Sequence, residues 1–86
     1  MSTSGSEKGH SKTRLAKLGV GQSGTISEVK SSDQELLRKL VAMGIVQGTS
    51  VEVSNIAPLG DPIEIKTRGY HLSLRRSEAD CVEVVI

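Results

Sequence analysis

The sequence predicts a mainly β protein, a small barrel of about five short strands with an inserted α-helix and a further one-turn helix. Apolar and polar residues alternate in several short runs, which is typical of half-buried strands, while one run has helical spacing. The core must be aliphatic, because the 86 residues include no Trp, no Phe and a single Tyr. Strands this short bury their apolar faces and protect their edges most economically by closing on themselves, so we predict an SH3-like barrel.

The apolar residues are confined to the chain after residue 13. Residues 1–13 contain none beyond Met1 and are rich in Ser, Gly and charge, a composition that cannot bury enough surface to offset the entropy of ordering. We expect a disordered N-terminal tail at 1–13 and one domain at 14–86.

The first elements of the domain are a strand and a helix. Thr25–Val29 is predicted to be a strand, and its apolar residues, three apart, indicate a bulge or an early end of the strand. Leucines then recur at helical spacing between Ser32 and Gly44. Ser32 and Glu35 predict a capping box at the start of the helix, and Gly44 fits the left-handed position after its end.

Two strands and a tight hairpin follow. Ser50–Ile56 alternates as a half-buried strand, and Pro62 can only begin the next strand because it lacks a backbone N–H. With Arg68 and Gly69 as a two-residue turn, all apolar residues of the hairpin share one face. The predicted pairs are Thr67 with Tyr70, Ile65 with Leu72, and Ile63 with Leu74.

The C-terminal residues predict a short helix and a closing strand. Ser77 is expected to cap a single helical turn. Val82, Val84 and Ile86 then alternate as the last strand.

Few residues could bind a metal or carry out catalysis. Only His10, His71 and Cys81 supply nitrogen or sulfur ligands, and His10 lies in the predicted tail, so we expect no metal site within one chain. His71 should face Lys66 on the exposed side of the hairpin, where a surface residue is the favoured interpretation. A site shared by His71 from two chains remains open.

The glycines Gly19, Gly21 and Gly24 match a G-x-G-x-x-G string. The dinucleotide fingerprint also requires a preceding strand and a following helix, whereas a strand is predicted to follow here. We therefore predict no cofactor, no catalytic residue and no enzymatic activity.

Charge and hydropathy restrict the partners and the location. The chain carries 11 basic and 10 acidic residues, so it has no net field for phosphates, and one Tyr cannot stack bases; no nucleic acid partner is expected. No apolar run approaches the ~20 residues that span a bilayer, and the N-terminus lacks the apolar centre of a signal peptide. We expect a cytoplasmic protein without direct membrane insertion.

The loop at residues 57–62 is the feature most suggestive of a binding role. Its two prolines restrict the backbone and Gly60 permits an unusual conformation, so the loop should present Leu59 rigidly. Leu59 either folds back over the barrel or contacts a partner. A basic run on the hairpin and just beyond it is either a solvated face or a docking patch for an acidic protein surface. It comprises Lys66, Arg68, Arg75 and Arg76.

Three strings, in this order and spacing, resemble the ferrous iron transport protein A (FeoA) family. They are KLVAMGI at 39–45, APLGDPI at 57–63 and LSLRR at 72–76. The resemblance implies an SH3-like barrel with inserted helices, a cytosolic location and no catalytic activity. It also implies a partner, the ferrous iron transporter FeoB, whose cytosolic G-protein domain hydrolyses GTP.

The resemblance and the loop together predict a docking surface for the G-protein domain of FeoB. Its residues are Pro58, Leu59, Gly60, Asp61, Pro62, Arg75 and Arg76. Two alternatives remain: a free-standing interaction module like the C-terminal domain of metal-dependent repressors, and an iron-binding chaperone with transition-metal affinity, which lacks ligands here. Exposed strand edges leave a homo-oligomer open.

Overall fold

A computed structural model describes residues 11–86, in which six antiparallel strands form one curved sheet. The strands are β1 (Lys12–Arg14), β2 (Ser23–Val29), β3 (Ser50–Ile56), β4 (Ile63–Thr67), β5 (Tyr70–Leu74) and β6 (Val82–Val85). A 3-10 helix (Leu15–Lys17) follows β1, α1 (Gln34–Ala42) connects β2 to β3, and α2 (Arg76–Ala79) connects β5 to β6. The predicted fold class, mainly β with an inserted helix and a one-turn helix, is confirmed.

The strand order is β1-β6-β2-β3-β4-β5, so β1 and β5 are the two edges of the sheet. The sheet has one strand more than expected, and that strand is β1. Lys12 pairs with Val85, and the Ile86 N–H donates to the Ser11 carbonyl at 2.9 Å. The predicted tail is therefore wrong at its last residues, because a short polar edge strand shows no apolar alternation. The rest of that tail, residues 1–10, lies outside the described residues.

The predicted bulge and the predicted hairpin are both confirmed. The register of β2 against β6 shifts between Ile26 and Glu28. In the β4–β5 hairpin, Arg68 and Gly69 have φ angles of 52° and 85°, the positive values that a type I′ turn requires. All three predicted pairs are found: Thr67 with Tyr70, Ile65 with Leu72, and Ile63 with Leu74.

The N-cap of helix α1 lies one residue later than predicted. Asp33, rather than Ser32, is the N-cap: its Oδ1 accepts from the N–H groups of Glu35 at 3.0 Å and Leu36 at 3.2 Å. A capping side chain must reach the second and third residues of the helix, which Ser32 is one position too early to do. Gly44 has φ 86°, as predicted for the residue that follows the helix.

Helix α2 also begins at a different cap. Its N-cap is Arg75, whose N–H donates to Glu78 Oε1 at 2.9 Å, and Ser77 lies inside the helix. The side chain that satisfies the helix start therefore comes from the third helical residue, the reciprocal half of a capping box. The last strand ends at Val85, and Ile86 beyond it is 44% exposed.

The core is aliphatic throughout. Side chains from β2 to β6, α1, α2 and the 3-10 helix contribute to it, and the fully buried ones include Leu15, Ile26, Leu40, Ile45, Val53, Ile63, Ile65, Leu74, Val82 and Val84. The buried polar residues are Thr49, Thr67 and Glu78. Within residues 11–86, no helix is long and apolar enough to cross a membrane.

Candidate protein-docking surface

The loop between β3 and β4 is tightly closed and carries an apolar side chain at its tip. The Gly60 N–H donates to the Ala57 carbonyl at 2.7 Å, and the Ala57 N–H donates to the Pro62 carbonyl at 3.1 Å. Gly60 has φ 85°, a conformation that glycine adopts with little strain. Leu59 is 95% exposed. The first alternative for Leu59, that it folds back over the barrel, is therefore wrong.

The loop lies against the start of α2, although the two are far apart in the sequence. Asp61 Oδ1 accepts a hydrogen bond from the Arg76 N–H at 3.1 Å. The guanidinium of Arg76 covers Gly60, since a Cβ at this glycine would be 3.5 Å from Arg76 Nη1. The structure thus brings together the predicted residues of the loop and the predicted arginines. We call residues 58–62 with Arg75 and Arg76 the loop–helix surface.

A carboxylate beneath this surface fixes the position of Arg75. Glu78 Oε1 accepts from the Arg75 N–H at 2.9 Å, and Glu78 Oε2 accepts from Lys39 Nζ at 2.7 Å. The hydrogen bond from Lys39 holds the pKa of Glu78 below its ordinary value, and the Arg75 N–H adds to this effect. Sequence reasoning missed Glu78 and Lys39. The three-residue spacing from Arg75 to Glu78 was the available signal for the cap.

The cationic side chains of the loop–helix surface are available to a partner. Among residues 11–86, the ion pairs involve Arg14 with Asp80, Lys30 with Glu83, and Lys39 with Glu78. Neither Arg75 nor Arg76 has a carboxylate within ion-pair distance in this part of the chain. Among residues 11–86, the two arginines of the loop–helix surface thus lack an ion-pair partner, and Arg76 Nη1 lies close to Gly60, the residue after Leu59.

The predicted basic run is divided between the two ends of the β4–β5 hairpin. Arg75 and Arg76 follow the end of β5, whereas Lys66 and Arg68 lie near the turn. Lys66 pairs with His71, which is four residues, or roughly 13 Å, before Arg75 along the strand. Arg68 Nη2 donates to Thr49 Oγ1 at 3.2 Å. The run is therefore spread along the hairpin, and Arg76 is the member that contacts the loop.

The residues considered for metal binding do not come together. In the described part of the chain, no group of three or more His, Cys, Asp or Glu side chains is arranged to hold a metal ion. His71 is exposed and faces Lys66 across the hairpin, as predicted. Cys81 is partly buried, and its Sγ is 3.5 Å from the Ser77 carbonyl. His10 lies outside the described residues.

The glycine string and a small polar cavity offer no further site. Gly24 lies within β2, so the string leads into a strand, in agreement with the prediction. A cavity of about 300 Å³ is lined by Arg14, Lys30, Asp80, Cys81 and Glu83. The two cations and the two carboxylates of its lining form ion pairs with each other at 3.5 Å, Arg14 with Asp80 and Lys30 with Glu83.

These features define a class of protein: a small, mainly β domain that presents an exposed leucine at a loop tip and an arginine beside that loop. The model of the FeoA domain matches residues 13–86. The chain belongs to the FeoA family.

A curated relative links this family to a transporter. The chain is 34% identical over 71 residues to the Fe(2+) transport protein A/Fe(2+) transporter FeoB fusion protein of Porphyromonas gingivalis. The match covers 83% of this chain and 8% of the fusion protein, so the chain corresponds to a small part of that polypeptide.

Solved structures agree with the fold. The NMR structure of a FeoA-like protein from Clostridium acetobutylicum is 35% identical, with a TM-score of 0.76 over 87% of this chain and 85% of that one. The crystal structure of Stenotrophomonas maltophilia FeoA in complex with zinc, a procaryotic SH3 domain protein, is 27% identical, with a TM-score of 0.73 over 86% and 89%. A manganese-dependent transcriptional repressor, 20% identical with a TM-score of 0.81 over 88% of this chain and 42% of the repressor, shares the fold alone.

Proposed function

We propose that this protein is a cytoplasmic, non-enzymatic accessory protein of ferrous iron uptake, and that its loop–helix surface docks on the cytosolic G-protein domain of a FeoB-like transporter. The observation that carries the proposal is the 95% exposure of Leu59 on a loop held by hydrogen bonds. The fusion in P. gingivalis supports association, because it joins the two kinds of protein in one polypeptide. The S. maltophilia protein has been suggested to act as a ferrous iron transport activating factor.

The geometry indicates what kind of partner surface would fit. Burying a leucine side chain fully is worth about 1.5–3 kcal/mol, and a rigid loop loses little entropy when it binds. Arg75 and Arg76 would favour carboxylates around the pocket that receives Leu59 and would accelerate encounter with an acidic surface. We therefore expect an apolar pocket with an acidic rim on the partner.

The decisive variant is Leu59→Asp, tested by titrating isotope-labelled protein with the G-protein domain bound to GDP and then to a nonhydrolysable GTP analogue. We expect saturable amide shifts around Leu59 and Arg75 in the wild type and at least about tenfold weaker binding in the variant, because a carboxylate cannot enter an apolar pocket. Val20→Asp is the matched control. Val20 is also exposed, at 61%, but lies in the turn before β2.

Charge reversal at the two ends of the β4–β5 hairpin provides a second test. Arg75→Glu/Arg76→Glu should slow association severalfold and reduce its salt dependence, whereas Lys66→Glu/Arg68→Glu at the turn changes the net charge equally and should have a smaller effect. Equal effects of the two double variants would indicate general attraction to net charge and would remove the arginines from the interface.

The outcomes also separate this function from the alternative. If the wild type shows no shifts at high concentration of the G-protein domain, the direct docking proposal fails. A free-standing interaction module, the role suggested by the fold shared with the repressor, then becomes the better account. A difference in affinity between the two nucleotide states would identify a regulatory role.

A further inference from the structure

The two edges of the sheet are protected to very different extents. Strand β1 is three residues long and contains Lys12 and Arg14, and short charged edges resist pairing with other chains. Strand β5 is five residues long, with the sequence YHLSL, and contains no proline, no Lys, Arg, Asp or Glu, and no register shift against β4. An edge of this kind is suited to accept another strand.

The backbone groups that β5 offers can be assigned from the hairpin register. In a two-residue hairpin the residues that flank the turn, Thr67 and Tyr70, form a hydrogen-bonded pair, and bonded pairs then alternate along the strands. The N–H and C=O groups of His71 and Ser73 therefore point away from β4. Within residues 11–86, β5 has no ladder partner other than β4, and these two residues make no backbone hydrogen bond outside the ladders.

We infer that β5 pairs antiparallel with β5 of a second copy of this chain, about a twofold axis that passes by Leu72. In this register His71 of each copy is opposite Ser73 of the other. Each pair of His71 and Ser73 across the axis exchanges two hydrogen bonds. The two pairs therefore form four bonds, which satisfy the outward N–H and C=O groups of both residues in both copies.

The neighbouring registers fit less well. A shift towards α2 would require the Arg75 N–H, which already donates to Glu78 Oε1 at 2.9 Å. A shift in the other direction would pair Ser73 with Gly69, which lies in the turn. Only the register centred on Leu72 uses the two outward-facing residues and no others.

The side chains are compatible with this pairing on both faces of the sheet. On the core side, Leu72 would contact Leu72 of the second copy, and Tyr70, which is 42% exposed, would lie opposite Leu74. On the outer side, His71 of one copy would face Ser73 of the other, with Lys66 beside His71 and Glu64 beside Ser73 on the neighbouring β4 strands. Each row of side chains across the four central strands would therefore run from Lys66 of one copy to Glu64 of the other. Opposite charges therefore end each row, and no like charges face each other directly across the joined strands.

One added strand pair buries less surface than a stable dimer needs, so the association should be weak and dependent on concentration. The test uses the full chain, followed by sedimentation and by amide shifts from low concentration to ~1 mM, the weak end of specific association. We expect the largest shifts at His71 and Ser73. Ser73→Pro removes two of the four bonds and should weaken dimerisation about tenfold or more, whereas the matched control Ser73→Ala keeps the N–H and should not.

A second measurement does not depend on any variant folding. In a mixture of isotope-labelled and unlabelled wild type, we expect intermolecular NOEs between the Leu72 methyl groups of the two copies. A protein that remains monomeric without shifts at ~1 mM overturns the inference, as does a dimer whose shifts lie elsewhere. Shifts of His71 and Ser73 that appear only with the G-protein domain would also overturn it, by assigning the edge to a strand of that partner. Docking through Leu59 is tested separately and can fail or succeed without this pairing.

Discussion

The two ends of the β4–β5 hairpin use similar residues for different purposes. At the turn, Tyr70 Oη donates to the Met43 carbonyl at the end of α1 at 3.1 Å, and Arg68 donates to Thr49 just before β3, so polar side chains hold this end of the hairpin in place. At the other end, Leu59 extends away from the barrel and Arg76 covers a glycine. An arginine and a positive-φ glycine occur at both ends. Their contacts, rather than their identities, distinguish a structural junction from a surface that can bind.

The largest expected effect is the difference in the free energy of unfolding between a variant of a core residue near the loop and a variant of the loop tip. Leu74, at the end of β5, is fully buried, so Leu74→Ala should lower the free energy of unfolding by about 2–5 kcal/mol. Leu59→Ala should change it by less than about 0.5 kcal/mol, since the side chain makes few contacts. Urea unfolding of both variants measures the difference. A loss above about 1 kcal/mol for Leu59→Ala would mean that the loop tip stabilises the fold, and the two ends would then be alike.

The hairpin and the docking loop were predictable to different degrees. The hairpin register follows from the period-two alternation at Ile63–Thr67 and a turn that needs positive φ, both local signals. The same register already implied that Lys66 and Arg68 lie far from Arg75. The loop was identified from its composition, but its contact with Arg76 connects residues 15 apart in the sequence and depends on packing.

The misassigned elements have equally specific causes. Ser32 and Asp33 are both good capping residues, and sequence alone does not select the one whose side chain reaches the helix N–H groups. Strand β1 consists of polar residues and is formed by pairing with β6, so no apolar pattern marks it. Its detection requires the partner strand to be in place.

A smaller effect compares two glycines with nearly equal backbone angles. Gly44 has φ 86° and Gly60 has φ 85°, so alanine should cost about 1 kcal/mol of strain at either position. A Cβ at Gly44 would also lie 2.9 Å from Tyr70 Oη, which must move and lose its bond to Met43. Gly44→Ala should therefore cost about 1 kcal/mol more than Gly60→Ala in urea unfolding.

The background Tyr70→Phe isolates that additional cost. Without the hydroxyl there is no close contact and no hydrogen bond to lose, so Gly44→Ala in this background should cost no more than Gly60→Ala. If the extra cost persists in Tyr70→Phe, it does not come from the Tyr70 hydroxyl, and neither the close contact nor the lost hydrogen bond to Met43 explains it.

The smallest effect concerns the ion pair that supports Arg75 at the loop end. The pKa of Glu78 is lowered from its ordinary value of 4.5, mainly by the hydrogen bond from Lys39, so the unfolded chain binds this proton more tightly than the folded one. The pair should stabilise the fold above about pH 4.5, and this contribution should be lost as the pH falls through the lowered pKa. Glu78→Gln should therefore be less stable than the wild type at pH 7, and the difference should narrow below pH 4.5.

The measurement is urea unfolding of both proteins between pH 7 and pH 3. The difference between them is the appropriate quantity, because the Ser27 hydroxyl and Lys30 also lower the pKa of Glu83 and contribute to acid sensitivity in both. Lys39 is half exposed, so solvent weakens the pair and the effect should be modest. A stability difference that stays constant with pH would show that the charge of Glu78 does not contribute and that its side chain acts only as a hydrogen-bond acceptor for the Arg75 N–H. The helix side of the loop–helix surface would then be positioned by the hydrogen bonds from the Arg75 and Arg76 N–H groups to Glu78 and Asp61, without a contribution from the ion pair.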